Sequence, residues 1–299
     1  VTMYPSFLPA AVGQLTEPSS IALAESIVSQ AIATPISSQP ISTSYVCQGK
    51  FHSHTPILLI HGFDSSVLEY RRLLPLLAEN HPVWAVDLLG FGFTERLLGI
   101  SYSAATIKIH LYHFWKTVIN RPVILVGASM GGAAAIDFAI SYPDIVEKLV
   151  LMDSAGVKGN SPMSKLIFPP LDYWAAEFLK NEKVRDRICR TAYKNPNLIS
   201  EDALLCGQLH LGMTNWTQAL IAFTKSGGYA AFKKQKFSQI MQQTLILWGD
   251  NDKILGTKDA NKFHSLILNS KLIWIKDCGH IPHLEQAEIT ATHILQFCQ

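Results

Sequence analysis

The stretch Val123-Ile124-Leu125-Val126-Gly127-Ala128-Ser129-Met130-Gly131-Gly132 constrains the fold more than any other part of the chain. Four aliphatic residues without polar alternation read as a strand buried on both faces. The run Ala133-Ala134-Ala135-Ile136-Asp137-Phe138-Ala139 behind it reads as a helix. Between them, Gly-x-Ser-x-Gly sets Ser129 on a sharp strand-to-helix turn, where side chains two residues before and after the serine would collide, so both positions are glycine. A strand feeding a helix in this way belongs to a sheet wrapped by helices, with the serine exposed at its edge as a candidate nucleophile.

The same alternation recurs along the chain. Ile57 to Ile60, Val83 to Val86, Leu149 to Met152, Leu245 to Trp248 and Leu272 to Ile275 are further strand-like runs, most of them ending in Gly, His or Asp. The pattern predicts an α/β fold with a mostly parallel central sheet and helices on both faces. Its ligand crevice should lie beyond the carboxyl ends of the strands. Between Met152 and Leu245 about 90 residues carry no clear strand, too many for a plain loop, and show helical patterning instead. They read as a helical cap inserted into the core.

The expected organisation is an amphipathic, flexible arm over residues 1-40, a first core part over 41-156, the cap over 157-243 and a second core part over 244-299. In the arm, Ile21, Ala24, Ile27, Val28, Ala31 and Ile32 recur at helical spacing. They predict a helix, either docked on its own domain or resting on a membrane surface.

Serine chemistry needs a base and an acid that orients it. The last strand run is followed by Asp277-Cys278-Gly279-His280-Ile281-Pro282-His283, and His280 is favoured as the base over His283. The run before it is followed by Gly249-Asp250-Asn251-Asp252, and Asp252 is favoured as the acid. Asp250 sits too close to the strand end and reads as a turn residue; Asp153, after Met152, is the remaining alternative. Backbone N–H groups of Phe63 and Met130 are the expected oxyanion donors. The side chain of His61 is read as a brace for the loop. Phe168, Tyr173, Trp174, Phe178, Trp216 and Phe223 are the expected aromatic wall of the substrate site.

Composition narrows the partners. The chain has 299 residues, 48% of them hydrophobic and only 16% charged, which suits a lipophilic substrate and excludes disorder for the bulk of it. With 25 Lys and Arg against 23 Asp and Glu there is no basic excess for nucleic acid. Five cysteines without a C-x-x-C spacing suggest a reducing compartment. The pairs His52/His54, His110/His113 and His280/His283 lack ligand partners at familiar spacings, and Gly90-Phe91-Gly92 lacks the third glycine of a dinucleotide fingerprint, so neither metal nor cofactor is expected. The first basic residue is Lys50, and no apolar run is long enough to span a membrane, so neither a secretory signal nor a transmembrane helix is expected.

Residues 41 to 299 resemble a lidded α/β-hydrolase, and more narrowly the chlorophyll dephytylases of photosynthetic organisms. The stretches that carry this are His61-Gly62-Phe63-Asp64-Ser65-Ser66, Trp84-Ala85-Val86-Asp87-Leu88-Leu89-Gly90-Phe91-Gly92-Phe93, Phe223-Thr224-Lys225-Ser226-Gly227-Gly228-Tyr229 and Cys278-Gly279-His280-Ile281-Pro282-His283. The elbow reads Ala-Ser-Met, unlike the His-Ser-Arg of plant chlorophyllases. The resemblance implies hydrolysis of the phytyl ester of chlorophyll to chlorophyllide and phytol. It also implies a cytoplasmic or stromal-side location with peripheral contact to the thylakoid membrane. The alternatives are a general carboxylesterase or lipase, and a ligand-binding protein that retains a triad. Ser129 argues against dehalogenases and epoxide hydrolases, which place Asp at that position.

Overall fold

A computed structural model of the chain describes residues 4–49, 54–157, 171–229 and 231–299. In chain order its regular elements begin with α1 (Pro18–Glu25), β1 (Val28–Ile32), β2 (Ile41–Gln48), β3 (Ile57–Ile60), α2 (Leu73–Ala78), β4 (Val83–Val86), α3 (Ala104–Phe114), β5 (Val123–Ala128), α4 (Met130–Ser141) and β6 (Val146–Met152). The cap follows, with α5 (Leu171–Lys180), α6 (Glu182–Ala192), α7 (Glu201–Cys206), α8 (Trp216–Lys225) and the short α9 (Lys234–Phe237). The chain returns to the core with β7 (Gln243–Gly249), α10 (Lys258–Leu266), β8 (Ser270–Ile275), α11 (Pro282–Glu285) and α12 (Ala287–Cys298).

The eight strands form one sheet in the order β1-β2-β4-β3-β5-β6-β7-β8. Only β1 with β2 and β2 with β4 pair antiparallel. From β4 to β8 the pairing is parallel. Side chains alternate between the two faces, as strand geometry requires. Leu58, Ile60, Leu125, Leu149, Leu151 and Ile246 join one apolar cluster with Ile107, Leu111 and Phe114 of α3 and Ala133 and Ile136 of α4. Ile57, Leu59, Ile124, Val126, Val150 and Leu245 face the other way, onto Leu73, Leu74 and Leu77 of α2 and Ile294 of α12. Burial on both faces is what made these runs continuously apolar.

The amino-terminal segment differs from its expectation. The helix ends at Glu25, and Val28–Ile32 is a strand whose Val28 and Ile32 pair with Tyr45 and Ile41. Pairing with β2 overrides the helical spacing, and Val28 and Ala31, which that spacing would have buried, are exposed. The segment is also built into the fold: Leu8, Val12, Leu15, Leu23, Ala24 and Ile27 are buried in the second cluster.

Because β4 and β5 lie on opposite sides of β3, the chain reverses its winding there and opens a crevice at the carboxyl ends of β3 and β5. The loop after β3 and the turn after β5 face each other across it.

Candidate active site

Ser129 holds φ 52°, a left-handed conformation that a non-glycine residue adopts only when its surroundings enforce it. Here the enforcement is backbone to backbone. Ser129 N–H donates to the Met152 carbonyl at 3.0 Å, and the Ser129 carbonyl accepts from Gly132 at 3.0 Å and Ala155 at 2.9 Å. A Cβ on Gly127 would strike the Gly131 carbonyl, and one on Gly131 would strike the Ile60 carbonyl. The turn therefore closes only with glycine at both positions.

The loop after β3 is oriented by His61. Its Nε2 accepts the Leu88 N–H at 3.0 Å, which leaves Nδ1 to donate to the Gly62 carbonyl at 2.8 Å. Burial pulls its pKa down to about 4, in keeping with a neutral ring. Since the Gly62–Phe63 peptide is planar and trans, fixing the Gly62 carbonyl on His61 turns the Phe63 N–H to the opposite edge. Met130 opens α4, so its N–H is a first-turn donor without a helical acceptor. The two expected oxyanion donors thus sit on the paired loops of the crevice.

His280 follows β8 and is 8% exposed; its Nδ1 lies 3.0 Å from Asp252 Oδ2. Asp252, after β7, accepts Ile254 and Leu255 N–H groups on Oδ1 at 2.7 and 3.0 Å. Burial works to raise the Asp252 pKa, but the His280 hydrogen bond and charge and the two backbone donors bring it below the ordinary value. Asp250 is an exposed turn residue that accepts from Asn251 and from the Cys278 N–H. Asp153 lies behind the pair: one oxygen each of Asp153 and Asp252 and a ring nitrogen of His280 fall within 4.8 Å of one another. Asp153 Oδ1 accepts the Gly249 N–H at 3.0 Å, while Oδ2 is buried without a hydrogen-bond partner. Burial and the neighbouring Asp252 carboxylate push the Asp153 pKa well up.

A cavity of about 280 Å3 opens beside Ser129 and His280. Its cap-side wall is Arg185, Ile188, Cys189 and Ala192 of α6 and Leu204, Gly207 and Gln208 of α7 and the turn after it. This corrects the expected aromatic wall. Tyr173, Trp174 and Phe178 lie exposed on α5, and Trp216 and Phe223 are buried within the cap and against the core. None of the five lines the cavity. Phe223 packs on Phe63 and Phe91, ring centroids 6.2 and 5.1 Å away, while Trp216 donates to Asp64 at 2.8 Å. Phe168 lies outside the described residues.

Sequence reasoning missed a pair that lines the same cavity, half-buried Glu69 and buried His283. Glu69 accepts the Gly62 N–H at 3.1 Å, and its Oε1 is 3.5 Å from His283 Nε2. Burial pushes Glu69 up to about 7 and His283 down to about 3. His283 forms no contact comparable to the His280–Asp252 bond, and its ring nitrogens have no hydrogen-bond partner.

A serine on a strained elbow at a sheet crevice, with a buried imidazole held by a carboxylate beside the same cavity, is the arrangement of a hydrolase of the α/β class. The chain belongs to the alpha/beta hydrolase fold family, whose model matches residues 55–287. It is 33% identical over 287 residues to the alpha/beta hydrolase domain-containing protein VTE7 of Arabidopsis thaliana, covering 94% of this chain and 86% of that one. It is 26% identical over 243 residues to Lipase 1 of Psychrobacter immobilis, covering 81% and 76%. Among solved structures, a serine hydrolase involved in carbazole degradation superposes with a TM-score of 0.74 at 26% identity, covering 91% and 98%.

Proposed function

We propose that the protein is a serine ester hydrolase for lipophilic esters and that the phytyl ester of chlorophyll is its substrate. The observation that carries the first part is that Ser129 and His280 face one cavity, with Asp252 bonded to His280 Nδ1 behind it and Ile188, Ala192, Leu204, Ile254 and Ile281 on its apolar side. Ser129 Oγ attacks the ester carbonyl while His280 Nε2 takes its proton. Asp252 holds the imidazole with Nδ1 protonated and offsets its charge. The oxyanion rests on the Phe63 and Met130 N–H groups. The alcohol leaves with the proton from His280, and a water activated by His280 then releases the acid from Ser129.

The choice of phytyl ester is supported by the sequence blocks around Asp64 and Tyr229 and by two features of the cap. Ile188, Ala192 and Leu204 offer a hydrocarbon chain an apolar wall, at roughly 0.8 kcal/mol per buried methylene. The exposed Leu171, Trp174 and Phe178 of α5 suit contact with the membrane in which such a substrate resides. The test is incubation of the purified protein with chlorophyll a in detergent, followed by chromatography. Chlorophyllide with magnesium retained is expected from the wild type and none from Ser129→Ala. Intact chlorophyll alongside rapid cleavage of simple lipid esters would replace this substrate with the general carboxylesterase reading, which the likeness to Lipase 1 favours.

A further inference from the structure

We infer that the cap sets the geometry of both catalytic loops through two buried carboxylates, Asp64 and Glu285, which are positioning residues for the reaction. The inference rests on the hydrolase reading above. It gives the cap a role in the chemistry itself, beyond walling the substrate.

Asp64 directly follows Phe63, the oxyanion donor, and like Ser129 holds a left-handed φ, here 48°. It is 6% exposed. Each partner found for its carboxylate among the described residues comes from the cap. Oδ1 accepts Trp216 Nε1–H at 2.8 Å and faces His210 Nε2 at 3.1 Å, and Oδ2 pairs with Arg185. These donors belong to three separate cap elements: α8, the 3-10 turn Leu209–Gly212 and α6. Burial raises the cost of the Asp64 charge, but His210 and Arg185 outweigh it and hold the carboxyl well below its usual range. A left-handed aspartate is strained and persists only where its surroundings over-determine it. At Asp64 those surroundings are the cap.

Glu285 makes the matching tie at the other loop. It is 7% exposed on α11, and its Oε2 accepts the N–H of Gly279, the residue before His280, at 2.7 Å. The same carboxylate accepts Lys194 N–H at 3.0 Å and Asn195 N–H at 2.6 Å, just past the end of α6. The Ala192 carbonyl, at that end of α6, accepts the His280 N–H at 2.8 Å. One helix therefore reaches from Arg185, paired with Asp64 of the oxyanion loop, to Ala192, bonded to His280 of the base loop. Moving α6 moves the Phe63 donor and the base relative to Ser129, and a misplacement of about 1 Å costs on the order of 100-fold in rate.

The experiment uses p-nitrophenyl acetate, whose acyl group is too small to need a cap wall, with Asp64→Asn, Glu285→Gln and Trp216→Phe. Trp216→Phe keeps a smaller aromatic ring in the same place and removes one N–H from Asp64, so it remains informative should the other two fail to fold. Fluorophosphonate labelling of wild-type Ser129 tests the hydrolase reading separately. The expected result is a kcat at least about 10-fold lower in Asp64→Asn and Glu285→Gln and about 3-fold lower in Trp216→Phe, with KM within about 2-fold. Affinity for a boronate transition-state analogue should fall in parallel with kcat. Unchanged kcat and boronate affinity in folded variants of a protein that labels normally would overturn the inference and leave the hydrolase reading standing. Absent labelling of wild type would overturn the hydrolase reading and the inference with it.

Discussion

Ser129, His280 and Asp252 stand or fall together, because a nucleophile without its base and a base without its orienting acid each lose most of the rate. Ser129→Ala is expected to fold and to lose at least about 1000-fold in ester turnover; near-wild-type turnover would move the nucleophile elsewhere. Asp252→Asn should cripple catalysis, whereas Asp250→Asn should leave it intact, since Asp250 serves a turn. Asp153 separates chemistry from stability. Its folded pKa is raised, so the native state binds its proton over a range in which the unfolded chain has released it, and stability falls as pH rises above about 4. For one proton the slope is at most about 1.4 kcal/mol per pH unit. Asn mimics the neutral carboxyl, keeps the oxygen that accepts Gly249 N–H and tolerates the left-handed φ of 40°. Asp153→Asn should therefore stay active, and its melting temperature should gain on wild type from pH 5 to pH 8. A gap that stays flat over that range would show Asp153 to be ionised in the native state. Ser129, His280 and Asp252 were legible because they stand directly after strand runs. Asp64, Glu69 and Glu285 were not, since what marks them is the convergence of donors distant in sequence.

Among the elements, the strands from β3 to β6 and β7 to β8 were readable because burial on both faces leaves few polar positions. β2 was not: its Thr43 and Ser44 are buried polar residues satisfied by His110 and Asp87, partners that no local pattern reveals. α5 shows a different limit. Its apolar spacing correctly marks a helix, but periodicity says nothing of what covers the apolar face. Ala176 is turned inward, while Leu171, Trp174 and Phe178, spaced along one face, are exposed, Trp174 by 63% and Phe178 by 64%. Large apolar side chains so exposed suit the headgroup boundary of a bilayer. Trp174→Ser combined with Phe178→Ser should reduce co-sedimentation with phosphatidylcholine/phosphatidylglycerol vesicles by at least about 10-fold, given roughly 1.5–3 kcal/mol per buried side chain. Turnover of a water-soluble acetate ester should not change, because neither residue lines the cavity. Unaltered vesicle binding would remove α5 from substrate access.

On the scale of the whole molecule, the amino-terminal segment ties cap and core into one cooperative body. Asp202, in the first turn of α7, accepts the Thr16 and Glu17 N–H groups at 2.6 and 2.9 Å and the Ser20 hydroxyl at 2.5 Å. Glu17 in turn accepts the Ser200 hydroxyl at 2.5 Å and pairs with Arg72 of the core at 3.0 Å. Burial raises the Asp202 pKa, but the Ser20 hydroxyl and the two backbone donors win and lower it. The carboxylate thus stabilises the fold at pH above about 4, and that contribution is lost as pH falls through its lowered folded value. Asp202→Ala leaves two N–H groups and a hydroxyl without their acceptor, which costs about 2–4 kcal/mol at roughly 1–3 kcal/mol per buried unsatisfied group, part of it recovered by water. For a protein of this size the melting temperature should drop by several degrees at pH 7. The deficit should shrink as pH is lowered toward 3, where wild type also loses the charged acceptor. Because Asp202 sits at the start of α7, whose Leu204 lines the cavity, KM for long-chain esters should rise as well. A variant with wild-type melting at pH 7 would show that the cap is held by its core contacts alone and that the segment before β1 only covers the sheet.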